Sequence, residues 1–434
     1  MTDTTPPAPR TLQEIVDCLP DYDPDALPVA RAQAIIEQFI TPLHAVEQLA
    51  LRQSLGRVLA ADIRSGIDVP AHDNSAMDGY ALRGSDLPAE QMRSFAIVGN
   101  AYAGRAYEGQ VGAGECVRIM TGAMMPADCD TVIPQELTSN ASATRVDVPA
   151  GKINPGDNRR LKGEDLTLGK IALSRGKLLR PADLGLLASL GIAEVAVQRR
   201  LRVAFFSTGD ELRSLGEALD QGCVYDSNRY TLYGMLTRLG CDIIDMGVIK
   251  DDPSSLETAF RTACENADAV ITSGGVSVGA ADYTKQIMAT LGDVAFWSIG
   301  MRPGRPMAFG KIHSNGKSAY LFGLPGNPVA VMVTFYFFAR NALLHMMGAT
   351  VPSLPLVKAV SPATIRKRPG RTEYQRGILS YGADGRLEVA ITGAQGSGIL
   401  RSMTEANCMI VLHHDQATVQ AGEQVDVLLF EGLL

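Results

Sequence analysis

Apolar positions change their period several times along the chain, and each change predicts a different kind of structure. Leu232, Met235, Leu236 and Leu239 share one helical face, while short apolar runs stand at 203–206, 243–248, 269–272, 294–297 and 319–322. Strand-length runs alternating with helical segments predict a mostly parallel sheet covered on both faces. That is the reading for 199–348, where Asp252-Pro253 also offers a helix cap followed by proline at the first helical position. The most apolar stretch, 329–339, contains Thr334 and is closed by Arg340. It falls short of the ~20 apolar residues of a membrane span, so a buried helix is expected.

The flanks read differently. Residues 1–28 are proline-rich and acidic, a flexible arm with one short helix around 12–18. Ile35, Ile36 and Phe39 have helical spacing, and 168–198 returns to helical apolar patterning with Leu184, Leu186, Leu187 and Leu190 close together. Segments 29–66 and 168–198 are therefore expected to pack together as an elongated helical and extended linker domain. Between them, Gly, Pro and Asp break 67–167 into short runs such as 116–120 and 131–134, which predicts a β-rich insertion. At 349–434, Leu387, Val389 and Ile391 alternate after the turn former Asp384-Gly385, which predicts a small β-barrel. The fold class is then multidomain α/β and β, with a central doubly wound domain.

Composition narrows the function classes. The chain has 434 residues, of which 46% are hydrophobic and 20% charged, with a net charge of -7. That length suggests about three domains, and the acidic balance argues against nucleic-acid binding. The N-terminus, Met1-Thr2-Asp3-Thr4 followed by Pro6, Pro7 and Pro9, is no signal peptide. None of the 7 cysteines forms a close metal-binding or redox pair, so reduced thiols in a cytoplasmic protein are expected. No membrane association is expected.

In an open parallel sheet, ligands bind beyond the carboxyl ends of the strands. The segments at those positions are 207–211, 251–252, 273–279, 301–305 and 323–328, and each carries glycine, charge or hydroxyl. A single glycine loop would signify only a tight turn. The functional reading is that Ser273, Gly274, Gly275, Ser277 and Gly279 bring backbone amides to a phosphate. The loop is no P-loop, because Ala280-Ala281 stand where Lys and Ser/Thr are needed. Asp252 and Asp210 suit a cap and a turn. Glu211, Asp251 and Asp282 lie on three loops of one edge and could hold Mg²⁺ on a substrate phosphate. Lys285, Arg302 and Arg305 could pair with an oxyanion. Pro325, Gly326, Asn327 and Pro328 complete the edge.

The strings DNSAMDGYA at 73–81, RIMTGA at 118–123, FSTGDEL at 206–212, SGGVSVG at 273–279, MRPGRP at 301–306 and GLPGNP at 323–328 carry a resemblance. From about residue 29 to the C-terminus the chain resembles the molybdopterin molybdenumtransferase family, which includes the bacterial MoeA proteins and the E domain of gephyrin. The resemblance implies four subdomains and a homodimer with a shared active site. It implies adenylylated molybdopterin and molybdate as substrates, with AMP released in a Mg²⁺-dependent reaction. It places functional positions at Asp78, Thr121, Arg160, Asp165, Glu211, Asp251, Asp282, Arg302, Pro325, Pro328, Arg376 and Ser397. Asp78 and Thr121 would close the cleft from the partner subunit, and Arg376 and Ser397 would help bind molybdate. Partner proteins would be the molybdopterin adenylyltransferase and apo-molybdoenzymes.

The sequence also departs from the family pattern. Ser298 stands where many relatives carry Lys, Arg302 and Arg305 replace common lysines, and Ala330 replaces a frequent Ser. Arg keeps the charge but presents a fork in place of a point charge. Two rival readings are the adenylyltransferase itself, whose single domain is similar to 199–348, and a gephyrin-like scaffold. The additional domains with Asp78 and Thr121 argue against the first, and the intact carboxylates and glycine loops against the second. Nothing in the sequence separates molybdate from tungstate.

Overall fold

A computed structural model describes residues 11–19, 22–276, 282–351 and 353–431. Its largest sheet has six strands in the spatial order Asp242–Ile249, Arg202–Thr208, Ala269–Ser273, Lys317–Leu324, Pro306–Ser314, Gly292–Ser298. The first four are mutually parallel. Pro306–Ser314 runs antiparallel to both of its neighbours, so Gly292–Ser298 points the same way as the parallel four. Sequence patterning gave the five runs with the common direction. It missed Pro306–Ser314, because that strand starts inside a Pro-Gly-Arg-Pro loop that reads as a turn.

Alternation along the strands assigns the helices to faces. Val203, Phe205, Ile271, Phe309 and Phe322 form one core with Leu232, Met235 and Leu236 of helix Ser227–Arg238 and with Val329, Val333 and Phe335 of the 328–346 helix. Ala204, Phe206, Val270 and Leu321 face the other way, onto Leu256 and Phe260 of helix Pro253–Asn266 and Met288 of helix Asp282–Leu291. Successive strand side chains point to opposite faces, so both cores follow from one sequence period. The apolar helix Pro328–Met346 is 72% buried inside this assembly, as a core helix is. Asp252 caps Pro253–Asn266 by accepting from the amides of Ser254 and Ser255 at 3.1 and 3.2 Å.

Residues 67–167 contain a five-stranded sheet in the order Thr131–Pro134, Gly79–Leu82, Glu115–Ile119, Arg93–Ala101, Arg145–Val148. The chain entering and leaving it is paired: Val46–Ala50 with Glu194–Gln198, and Ile63–Arg64 with Ile171–Leu173. Helix Val29–Phe39, expected to pack with 168–198, lies on the α/β sheet instead. Phe39 meets Phe309 edge-on at 5.6 Å between ring centroids, because Ile35, Ile36 and Phe39 find more apolar surface there. At the C-terminus five strands close on themselves: Thr372–Tyr381, Leu387–Ile391, Val357–Val360, Gln424–Leu429 and Cys408–Leu412, the last pairing back onto the first. This is the small barrel that the hairpin signal at Asp384-Gly385 anticipates. Met301–Arg302 joins it in parallel with Thr372–Glu373, fastening the barrel to the edge of the α/β sheet.

The N-terminal arm differs from expectation. Over its described residues it is docked, not loose. Helix Leu12–Asp17 has a capping box at Thr11 and Glu14, and its Leu12, Ile15 and Val16 enter the main core. Three apolar side chains on one face of a short helix are enough to hold it when a complementary surface is present. Composition alone, rich in Pro and Asp, conceals that face.

Candidate functional site

Because five strands share a direction, the segments after 208, 249, 273, 298 and 324 all emerge on one sheet edge. The Asn315-Gly316 turn is on the opposite edge. This places every loop singled out from sequence on the same side of the domain.

At one end of the edge stand carboxylates. Asp251 accepts from the Thr208 hydroxyl at 3.3 Å, and its amide donates to Asp210 Oδ1 at 3.4 Å. Glu211 is exposed and folds back over Gly209. Asp282 begins helix Asp282–Leu291, but its side chain lies outside the described residues, as do Ser277 and Gly279. Among the described residues no three His, Cys, Asp or Glu side chains converge as a metal site.

Gly274 and Gly275 form the floor of the next loop, at φ +97° and +68°. A Cβ on Gly275 would stand 2.9 Å from Thr284, and one on Gly274 2.5 Å from the Thr208 carbonyl, so both positions require the bare backbone. Asn228, which sequence reasoning missed, ties this loop to the next. Its amide nitrogen donates to Ser273 Oγ at 2.8 Å and to the Gly326 carbonyl at 2.6 Å. Beneath the loops Ser207 Oγ, Thr272 Oγ1, Thr284 Oγ1 and Asn228 Oδ1 are buried without a partner among the described residues. Buried polar atoms left in this state are costly, which marks the floor as a place for a polar ligand or ordered water. The one sequence signal for Asn228 is its place next to the helix cap Asp226.

At the other end lies a cavity of about 440 Å³ between the sheet edge and the barrel. Arg302, Arg305, Pro325, Gly326, Asn327 and Ser397 line it, as sequence expected, together with Arg371 and Gln395, which it did not. Arg371 pairs with Glu373 at 2.9 Å. Pro328 starts the 328–346 helix behind it. Arg376 is 1% exposed and donates to Ser402 Oγ at 2.9 Å and the Gly396 carbonyl at 3.0 Å. Burial and then the nearby Arg302 charge pull its pKa down to about 10, so it remains a cation at neutral pH. The cavity wall therefore carries the cations Arg302 and Arg305 with the buried Arg376 charge close to Arg302, which suits an anion. A recess of about 450 Å³ adjoins it, lined by Lys285, Ser298, Arg305 and Asp25 among others.

The insert carries the remaining positions. Gly79 pairs with Ile119 across antiparallel strands, so Asp78, just before one strand, meets Thr121, just after the other. The Thr121 amide and hydroxyl both donate to Asp78 Oδ1 at 2.7 Å. Those donors hold the Asp78 carboxyl below its ordinary pKa of 3.8. Arg160 is exposed and lies opposite Asn74 in a short strand pair. Asp165 is exposed too, and its amide donates to the Val69 carbonyl at 3.0 Å. Asp73 and Arg159 form an ion pair beside them that orders this surface, a pairing the sequence did not reveal. Among the described residues, the polar contacts of Asp78, Thr121, Arg160 and Asp165 stay within the insert.

Comparison with known proteins covers nearly the whole chain. Residues 27–191 match the MoeA N-terminal region (domain I and II), 204–345 a probable molybdopterin binding domain, and 358–430 the MoeA C-terminal region (domain IV). A molybdopterin molybdenumtransferase from Haemophilus influenzae is 41% identical over 404 residues, covering 92% of this chain and 97% of that protein. One from Nostoc sp. is 38% identical, covering 86% of each. The crystal structure of molybdopterin biosynthesis moeA protein from Pyrococcus horikoshii OT3 superposes with a TM-score of 0.78 at 28% identity, over 93% of this chain and 100% of that one.

Proposed function

The chain belongs to the molybdopterin molybdenumtransferase family, and from that premise we propose that it inserts molybdenum from molybdate into adenylylated molybdopterin, releasing AMP. It is a transferase of molybdenum cofactor biosynthesis; the adenylyltransferase alternative is not favoured. The observation that carries the detailed reading is the cavity beside the glycine loops. It sets Arg302 and Arg305 around one space, with the buried Arg376 behind its wall bonded to the lining Gly396 carbonyl, next to hydroxyls that have no partner among the described residues on the same sheet edge.

In this reading the guanidiniums hold the dianion molybdate, with Ser397 and Asn327 as neutral neighbours. Gly275 presents its backbone amide to the substrate phosphate, while the Gly274 amide holds the loop to the Leu324 carbonyl and Asn228 steadies it. The hard carboxylates Glu211, Asp251 and Asp282 have the chemistry to hold Mg²⁺, which when bound would offset phosphate charge. Asp251 is oriented by Thr208, and Lys285 stands by the recess for a further phosphate charge. Half-buried Asp78 and exposed Thr121, on the same insert as Arg160 and Asp165, close the cleft from the partner subunit of a homodimer. The setting is the cytoplasm, with the adenylyltransferase and apo-molybdoenzymes as partners in handing over substrate and product.

Anaerobic turnover tests this directly. Purified protein with adenylylated molybdopterin, Mg²⁺ and molybdate should release AMP and yield active cofactor, with tungstate run in parallel. AMP release that is indifferent to molybdate, or an Asp282→Ala variant that cleaves the substrate at the normal rate, would overturn the assignment.

A further inference from the structure

Residues 22–27 run along the end of the α/β sheet edge as a strap. The Ser298 amide donates to the Pro24 carbonyl at 2.6 Å, the Leu27 amide to the Ser298 carbonyl at 3.2 Å, and the Gly300 amide to the Leu27 carbonyl at 2.8 Å. Trp297 Nε1 donates to the Tyr22 hydroxyl at 2.9 Å. Almost all of this segment lies ahead of the region matched by the MoeA N-terminal model, which begins at residue 27.

Arg305 ends against this strap. Its Nε donates to Ser298 Oγ at 2.7 Å and a terminal nitrogen to the Asp25 carbonyl at 3.4 Å. Both acceptors are neutral, so they fix direction without cancelling charge. The guanidinium has five N–H donors, and these two contacts leave others for a ligand. Arg305 lines both the 440 Å³ cavity and the 450 Å³ recess, so it stands at their junction. An arginine on a flexible stem loses rotamer freedom when it clamps an anion, and fixing it beforehand removes that cost.

We propose that Ser298 and the 22–27 strap are positioning elements that hold Arg305, which has no ion-pair partner among the described residues, as a preset fork for the tetrahedral oxyanion. The inference rests on the reading of the arginine cavity as the molybdate site. It gives Ser298 a definite role: its hydroxyl is the acceptor that aims the arginine three residues beyond Arg302. A lysine at 298 would bring a charge of its own and repel Arg305 from this place.

Calorimetric titration of the full chain with molybdate, and with sulfate as a smaller oxyanion, tests it alongside steady-state kinetics. Ser298→Ala should weaken molybdate binding roughly tenfold, the low end of the range expected for one hydrogen bond to a charged group. KM for molybdate should rise by a similar factor, with kcat at saturating molybdate held and the melting temperature unmoved. Ser298→Thr, which keeps the hydroxyl, should restore binding. Tyr22→Phe, which loosens the strap, should weaken binding roughly twofold. Ser298→Ala binding like the unaltered chain would overturn the inference, and so would a threonine variant as weak as the alanine one. Failure of the underlying reading looks different: the unaltered chain would not bind molybdate, or Arg302→Ala would bind it equally well.

Discussion

The two regions that carry the candidate residues achieve proximity by opposite means. In the α/β domain, 199–348, a shared strand direction delivers five separate loops to one edge, whatever their contents. In the insert, Asp78 and Thr121 meet only because one antiparallel register sets Gly79 against Ile119. A shift of one residue in that register would separate them and turn every side chain of the strand to the other face. The first arrangement tolerates change in any loop, while the second depends on every residue of a small sheet. A site built from both combines a robust scaffold with a fragile one.

The sharpest way to break this comparison is to ask whether the two regions act in one cleft across subunits. Asp78→Ala and Asp282→Ala should each lower kcat on the order of a hundredfold or more. Mixed and reassociated, the two inactive chains should recover about a quarter of the normal activity, because half of randomly formed dimers are hybrids with one intact cleft. No recovery, with hybrid formation verified, would place the insert outside the cleft.

Fragility can be measured through glycine. A Cβ on Gly79 would stand 2.0 Å from the Ile133 carbonyl, inside the insert sheet. Gly79→Ala should cost about 3 kcal/mol or more, since backbone must move. Gly275→Ala, at φ +68° and facing the Thr284 side chain at 2.9 Å, should cost about 1–3 kcal/mol. Denaturant unfolding of both variants tests the order; a Gly79→Ala midpoint equal to that of the unaltered protein would contradict the close approach.

Ligand linkage sharpens the α/β half. Molybdate at a hundredfold excess over its Kd should stabilise the folded chain by about 2.7 kcal/mol. Differential scanning calorimetry should show that gain vanish in Arg302→Ala, leaving Asp78→Ala unaffected if the anion sits wholly on the arginine side.

The smallest effect is electrostatic and belongs to the insert. Thr121 depresses the folded pKa of Asp78 below 3.8. Its small contribution to stability is therefore present above the unfolded pKa and lost as pH falls through the lower, folded one. Carboxyl titration followed by NMR should find Asp78 still ionised at pH 3.8, and Thr121→Val should move the midpoint back towards that value.

Much of this was legible in the chain. Periods of two and 3.6 revealed the parallel strands, their helices and the barrel hairpin, because those periods are set by local backbone geometry. Gly274 and Gly275 were legible for the same reason: a positive φ leaves a mark in residue type. Pro306–Ser314 was hidden, since a strand beginning in Pro and Gly imitates a turn. Asn228 and Arg371 were invisible because each is an ordinary polar residue until its partner, 98 or 2 positions away, is brought alongside.

By itself, then, the sequence determined five of the six strands of the α/β sheet and their helices, which loops lie at those strand ends and which carry glycine and charge. Those are properties of neighbours along the chain. Only the tertiary structure decided that Asp78 meets Thr121, that Arg376 is a buried cation beside Arg302, and that the N-terminal strap aims Arg305. These depend on register and on the packing of distant surfaces, and the free energy that selects them is a sum over the whole core rather than a signal at any one position.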